Sequence, residues 1–264
     1  MANIELENVT YCYADSRQNY KALKNISIEI PKGEFTCIIG ESGCGKTTLL
    51  RLLAGLEKPT EGKILIDRHL LSGPNQKAAI VFQDYTLFPW MTAKKNITFA
   101  IQQSDSSLTP KQISDIADSF LEKVNMSSAA NKFPHQLSGG MRQRIAIARA
   151  LAMDTDILLL DEPFGALDVR IRMELQTLLE NLWSNSNQQR KNVIFVTHDI
   201  QEAVRMADRV LFMESGSFSA NIPVPLPHPR ATLSKSEAQI QENITKELQT
   251  LFYRNPANKE NVYE

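Results

Sequence analysis

Leu137-Ser138-Gly139-Gly140-Met141-Arg142-Gln143-Arg144 takes its meaning from the two segments that bracket it. Upstream lies Gly40-Glu41-Ser42-Gly43-Cys44-Gly45-Lys46-Thr47-Thr48, which fits the phosphate-loop pattern of two glycines, a lysine and a hydroxyl residue at fixed spacing. Downstream an apolar run ends in acid, Ile157-Leu158-Leu159-Leu160-Asp161-Glu162. The loop pattern alone turns up by chance in roughly 1% of chains this long at ordinary residue frequencies. All three segments in this order leave no room for coincidence.

Around these segments, short apolar β-prone runs recur at residues 5–9, 35–39, 63–66, 78–82, 157–161, 193–197 and 210–213, several of them separated by helical patterns. The unbroken apolar character of 157–160 and 193–196 suits strands covered on both faces, as in a parallel α/β sheet. Nucleotide then binds at the carboxyl ends of those strands. From about 88 to 152 the strand signals vanish, while Ile113, Ile116, Ala117, Phe120, Leu121 and Val124 fall on one helical face. That stripe reads as packing within a helical subdomain inserted into the core. Past residue 216, Pro223, Pro225, Pro227 and Pro229 forbid regular structure, and a polar helix follows at about 234–252.

A nucleoside triphosphate carries several negative charges that must be held without water, and a glycine-rich loop opening a helix offers convergent N–H groups and a positive dipole end. Gly40, Ser42, Gly43, Cys44 and Gly45 supply that cradle. Lys46 contacts the β and γ phosphates, Thr47 ligates Mg²⁺ through its hydroxyl, and Thr48 supports the α phosphate. Cys44 has two readings: a reactive thiol whose pKa falls beside Lys46 at a helix N-terminus, or a small residue tolerated there. Asp161 positions Mg²⁺ through coordinated water, and Glu162, diverging from it on the strand, polarises the attacking water as general base.

Residues 4–213 resemble the nucleotide-binding subunits of ATP-binding cassette (ABC) transporters. That resemblance implies an α/β phosphate-loop NTPase core with a mainly parallel sheet, an antiparallel N-terminal β portion and an inserted helical subdomain at about 89–153. The nucleotide-binding domain then occupies 1–220 and a proline-containing tail 221–264. It further implies two cassettes packed head to tail around two ATP molecules, with Ser138, Gly139 and Gly140 of one touching the γ phosphate held by the other. Gln83 matches the family's Q-loop, reaching Mg²⁺ or the attacking water. His198, in Val196-Thr197-His198-Asp199, matches the switch histidine, and Gly165-Ala166-Leu167-Asp168 matches the D-loop. Tyr13 falls where the family places an aromatic residue that stacks on adenine, and is preferred to Tyr11 by its spacing from Val9. Stacking accepts any base, and the chain has no Asn-Lys-x-Asp guanine-reading segment.

After Gln83 the sequence Asp84-Tyr85-Thr86-Leu87-Phe88-Pro89-Trp90-Met91-Thr92 resembles importers of the nitrate, taurine and alkanesulfonate group. Phe88 and Trp90 are either anchors for a membrane subunit or part of the cassette's packing. The tail prolines fit the same group, whereas Glu41 and the polar insertion at 15–21 depart from it. The expected protein is an ATPase energising import of a small anionic nutrient. It works as a homodimer or as a heterodimer with a related cassette, on permease subunits and indirectly with a solute-binding protein. The rivals are an exporter or lipid-handling subunit, a soluble cassette acting on nucleic acid or ribosomes, and a regulator without turnover.

Composition bounds this reading. The 264 residues carry a net charge of −1, which gives no global attraction to nucleic acid or to an anionic membrane. The longest apolar runs fall far short of the ~20 residues of a spanning helix, and Met1-Ala2-Asn3-Ile4-Glu5 is not a signal peptide. Attachment to the cytoplasmic face of the inner membrane therefore runs through a protein partner. Cys12, Cys37 and Cys44 are too few and too irregular for a disulfide framework or a zinc site, as expected of a reducing cytosol.

Overall fold

The computed structural model describes residues 2–14, 19–83, 86–165, 167–184, 190–230 and 233–253. Part of the 15–21 insertion, Asp84, Tyr85, Ala166 and the end of the tail lie outside them. In chain order the elements are β1 (Ile4–Ala14), β2 (Asn19–Ile30), β3 (Phe35–Gly40), α1 (Lys46–Leu53), β4 (Glu61–Ile66), β5 (His69–Leu70), β6 (Ala78–Val81), α2 (Ala93–Ser104), α3 (Pro110–Lys123), α4 (Gly139–Ala152), β7 (Ile157–Asp161), α5 (Val169–Ser184), β8 (Asn192–Thr197), α6 (Ile200–Met206), β9 (Arg209–Glu214), β10 (Ser217–Pro223) and α7 (Lys235–Tyr253).

Strands β2-β1-β4-β5 form an antiparallel sheet. A second sheet runs β10-β9-β3-β8-β7-β6, parallel from β9 to β6, with β10 antiparallel at its edge. The apolar continuity of the central strands follows from their two covered faces. Ile38, Leu159, Ile194, Val196, Leu211 and Met213 pack toward α1 and the antiparallel sheet. Their alternating neighbours Cys37, Ile39, Leu158, Leu160, Val193, Phe195, Val210 and Phe212 pack toward the remaining helices. Burying one such large aliphatic or aromatic side chain is worth about 1.5–3 kcal/mol, so a polar residue on either face would be costly.

Helices α2, α3 and α4 fall within the expected helical interval, and α2 packs on both of the others. α3 begins at a capping box, in which the Thr109 side chain and Gln112 satisfy each other's backbone N–H groups. Its predicted stripe is inward: Ile113, Ala117 and Leu121 are buried, and Ile116 and Phe120 lie partly buried against the core.

Three elements depart from expectation. β2 was not foreseen, because its apolar positions are interrupted by bulges and by the charged residues Lys21, Lys24 and Glu29. β5 is a two-residue pairing against β4 and carries no sequence signal. The prolines past residue 216 do not abolish regular structure at once, since β10 runs on to Pro223, a proline tolerated at the end of an edge strand. The boundary expected at 220/221 therefore falls inside β10, and Ile222, Val224 and Leu226 join the main core. The tail helix emerges as α7, burying Ile244 and Leu248 near α6. Among the described residues no helix is long and apolar enough to cross a membrane.

Candidate active site

At the carboxyl ends of β3, β7 and β8 the chain opens a cleft of ≈ 490 Å³, lined by Tyr13, Tyr20, Ala22, Ser42, Gly43, Gly45, Lys46, Thr47, Thr48, Gln83, Glu162 and His198. The loop from β3 into α1 forms its floor. Gly45 precedes α1 at φ 114°, and a Cβ there would lie 2.6 Å from the Ala22 carbonyl oxygen. Glycine is needed at that point on both conformational and steric grounds. No side chain caps α1, so its first N–H groups remain available to an anion.

Lys46 is buried beneath the loop, its ammonium donating to the carbonyl oxygens of Gly40 at 2.8 Å and Glu41 at 2.7 Å. These bonds hold the cation at the loop, where its charge also acts on the nearby Asp161 carboxylate. The Thr47 hydroxyl bonds to Asp161, a buried carboxylate whose pKa is raised by burial and by the neighbouring charge of Glu162, against the Thr47 bond. A hydroxyl beside a carboxylate is a hard-oxygen donor set, and it fits Mg²⁺ bound chiefly to substrate phosphates and water. Thr48 meets the Tyr13 hydroxyl, with 3.0 Å between the oxygens. Gly40, Cys44 and Asp161 sit behind the cleft surface.

The structure favours the second reading of Cys44. Burial pushes its thiol above the ordinary range despite Lys46, so it is the small buried residue of the alternative reading.

Gln83, Glu162 and His198 meet at one atom. Gln83 Nε2 lies 3.5 Å and His198 Nδ1 3.3 Å from Glu162 Oε2. Glu162 itself stands in the left-handed region at φ 44°, held by its N–H donating to the Val196 carbonyl at 3.0 Å. The turn carrying His198 is braced from behind. The Thr197 hydroxyl accepts from the Asp199 N–H at 3.0 Å and donates to Glu202 Oε2 at 2.7 Å, and Gln176 donates to Glu202 Oε1 at 3.0 Å. Burial raises the Glu202 pKa, and the Thr197 bond opposes it. Sequence reasoning missed this brace, although Asp199 and Glu202 have the spacing of a helix N-cap and its third residue.

Ser138, Gly139 and Gly140 lie apart from the cleft of their own chain. Ser138 caps α4, its side chain accepting from the Met141 N–H at 3.3 Å, and both Ser138 and Gly139 are exposed. Asp168 similarly caps α5 by accepting from the Ile171 N–H at 3.0 Å. Of the two tyrosines, Tyr13 lines the cleft, whereas Tyr11 is buried and donates to Glu57 at 3.0 Å. Of the two aromatic residues considered as anchors or as packing, Trp90 is 70% exposed. Phe88 is half-buried, with Phe99 at 5.3 Å and the Arg149 guanidinium at 5.8 Å from its ring centre. Tyr20, also missed, faces the cleft because it is the cross-strand partner of Tyr13, a register that becomes readable only once the β1–β2 hairpin is known.

Residues 23–165 match the ABC transporter family model. The aliphatic sulfonates import ATP-binding protein of Bacillus cereus is 38% identical over 93% of this chain and 96% of its own length. The nitrate import ATP-binding protein of Synechococcus elongatus is 42% identical over 81% of this chain and 78% of its own. The bicarbonate transport ATP-binding protein of a Synechocystis species is 40% identical over 87% and 81%. Among solved structures, a dimeric ATP-binding cassette in a post-hydrolysis state bound to ADP and Pi superimposes with a TM-score of 0.76 at 34% identity, covering 84% of this chain and 98% of that one.

Proposed function

Since the chain belongs to the ABC transporter family and is an ATPase that works with Mg²⁺, we propose that it energises an importer of a small inorganic or organic anion, of the nitrate, taurine or alkanesulfonate kind. The observation that carries the catalytic part is the meeting of Gln83 and His198 at one Glu162 oxygen, in the cleft that also holds Lys46. Relatives named for sulfonate, nitrate and bicarbonate support the anionic class and favour import over export.

In this reading the loop N–H groups and Lys46 bind the phosphates, and Tyr13 stacks on the base. Thr47 and Asp161 hold Mg²⁺, with Gln83 reaching toward it. When bound, the metal supplies charge neutralisation at the phosphates. Glu162 takes the proton of the attacking water, and His198 orients the γ phosphate. Gln83, Asp161 and Thr47 thus act on the metal side, and Glu162 and His198 on the water side. Ser138, Gly139 and Gly140 of a second cassette complete the phosphate contacts. In the same reading exposed Trp90 meets the permease at the cytoplasmic face of the membrane, and a solute-binding protein serves the system indirectly.

The test is uptake of labelled nitrate, taurine and alkanesulfonates in source cells carrying either the normal chain or Lys46→Ala. Selective loss of one uptake activity is expected and identifies the cargo. No loss of any, with the variant present at normal levels, overturns the importer assignment and moves the exporter forward.

A further inference from the structure

The nucleotide cleft has a second aromatic wall that the roles above leave unused. Tyr20 is 57% exposed and lines the same cleft as Tyr13. The two are directly opposed across the β1–β2 ladder, so their side chains leave the hairpin from one face. Each hydroxyl is fixed to a different part of the phosphate loop. Tyr13 meets the Thr48 hydroxyl at 3.0 Å, in the first turn of α1, whereas Tyr20 donates to the Gly43 carbonyl at 3.2 Å, near the loop's tip. Both rings are therefore tethered at their polar ends with their apolar bodies left at the cleft. A large aromatic surface kept in water is unfavourable unless a ligand covers it.

We propose that Tyr20 is a second nucleoside-contacting residue, so that base and ribose are held by a pair of tyrosines instead of by Tyr13 alone. This rests on the ATP-site reading of the cleft. The phosphates occupy the loop N–H groups and Lys46, and only the nucleoside end offers the flat apolar surface that an exposed phenol ring recognises. The tether to Gly43 makes a competing role possible, in which Tyr20 merely stiffens the loop.

Calorimetric titration of Mg²⁺-ATP and Mg²⁺-tripolyphosphate separates the two, because tripolyphosphate has the charges but no nucleoside. With Tyr20→Ala, ATP affinity falls about tenfold, as expected for loss of one base-stacking ring, while tripolyphosphate affinity is unchanged. Tyr20→Phe keeps the ring, loses the tether and retains ATP affinity. Unchanged ATP affinity in Tyr20→Ala overturns the proposal. So does equal weakening of both ligands, or a Tyr20→Phe loss as large as that of alanine. If Tyr13→Ala leaves ATP binding intact while Tyr20→Ala weakens it, the proposal stands and the Tyr13 assignment falls. Equal melting temperatures for the variants exclude misfolding as the cause.

Discussion

Glu162 is held where a non-glycine residue is strained. A φ of 44° costs on the order of 1–3 kcal/mol for such a residue, and its side chain is aimed so that one oxygen meets both Gln83 and His198. Strain of this kind persists only when the surroundings over-determine it, and the N–H bond to Val196 at the end of β8 is part of that constraint. Replacing Glu162 with Gln preserves volume and hydrogen bonding but removes the proton acceptor. ATPase turnover is expected to fall by a factor of about 10² or more, with ATP still bound in a calorimetric titration; normal turnover would remove Glu162 as the base. Asp161 and Glu162 were legible because they sit consecutively at the end of an apolar run. The convergence on Glu162 was not. Gln83 and His198 lie 79 and 36 residues away, and only family resemblance linked them to this point. Neither could it have been foreseen that the Thr197 hydroxyl relays between Asp199 and Glu202, since that depends on the angle at which α6 leaves β8.

The segment between β10 and α7 shows what periodicity can and cannot reveal. α7 was readable from its helical pattern, but the clasp before it depends on partners distant in sequence. Arg230 is buried, its guanidinium donating to the carbonyls of Val204, Ala207 and Leu226 at 2.8, 2.7 and 3.0 Å and its N–H to Glu180 at 2.6 Å. Burial lowers its pKa to about 10, so it remains charged at neutral pH. His228 is pinned between Glu180 Oε1 at 2.9 Å and Asp208 Oδ1 at 3.2 Å, with its ring against Trp183. Burial alone would depress the His228 pKa, and Arg230 adds to that, but the bonds to Asp208 and Glu180 prevail and raise it above 6.5. The carboxylates move the other way, Asp208 and Glu180 both being lowered by their bonds to His228 against the effect of burial. A raised histidine pKa gives stability that is complete below the unfolded value and lost as pH climbs through the folded one. The carboxylates contribute fully only above their unfolded values, 3.8 for Asp208 and 4.5 for Glu180. The clasp is therefore strongest from about pH 4.5 to 6.5 and weakens above that window. Melting temperatures of the wild type and His228→Gln, compared across pH, should differ most near pH 6 and draw closer as the pH rises above that. A pH-independent difference would show that His228 acts by packing alone.

The residues of the proposed two-cassette site lie on two separate surfaces of the chain. The cleft holds the phosphate loop, Gln83, Glu162 and His198, while Ser138 and Gly139 stand exposed at the start of α4 and outside it. Within its own chain the start of α4 is seated against the segment that leads into α5, where a Cβ on Gly140 would lie 3.2 Å from Leu167 Cδ2. In the proposed dimer a second copy supplies its α4 N-terminus, so that ATP lies between two surfaces that each contribute N–H groups to it. Ser138→Arg tests the composite site directly. The arginine adds bulk at the face that must approach the partner's γ phosphate, and it replaces the hydroxyl that caps α4. Introduced together with Glu162→Gln, so that hydrolysis cannot dissolve the complex, it should leave each monomer able to bind Mg²⁺-ATP while abolishing the ATP-dependent dimer in sedimentation velocity. The Glu162→Gln single variant, run beside it, should sediment as a dimer with ATP and as a monomer without. A double variant that still dimerises with ATP would mean that the α4 N-terminus does not face the partner's nucleotide.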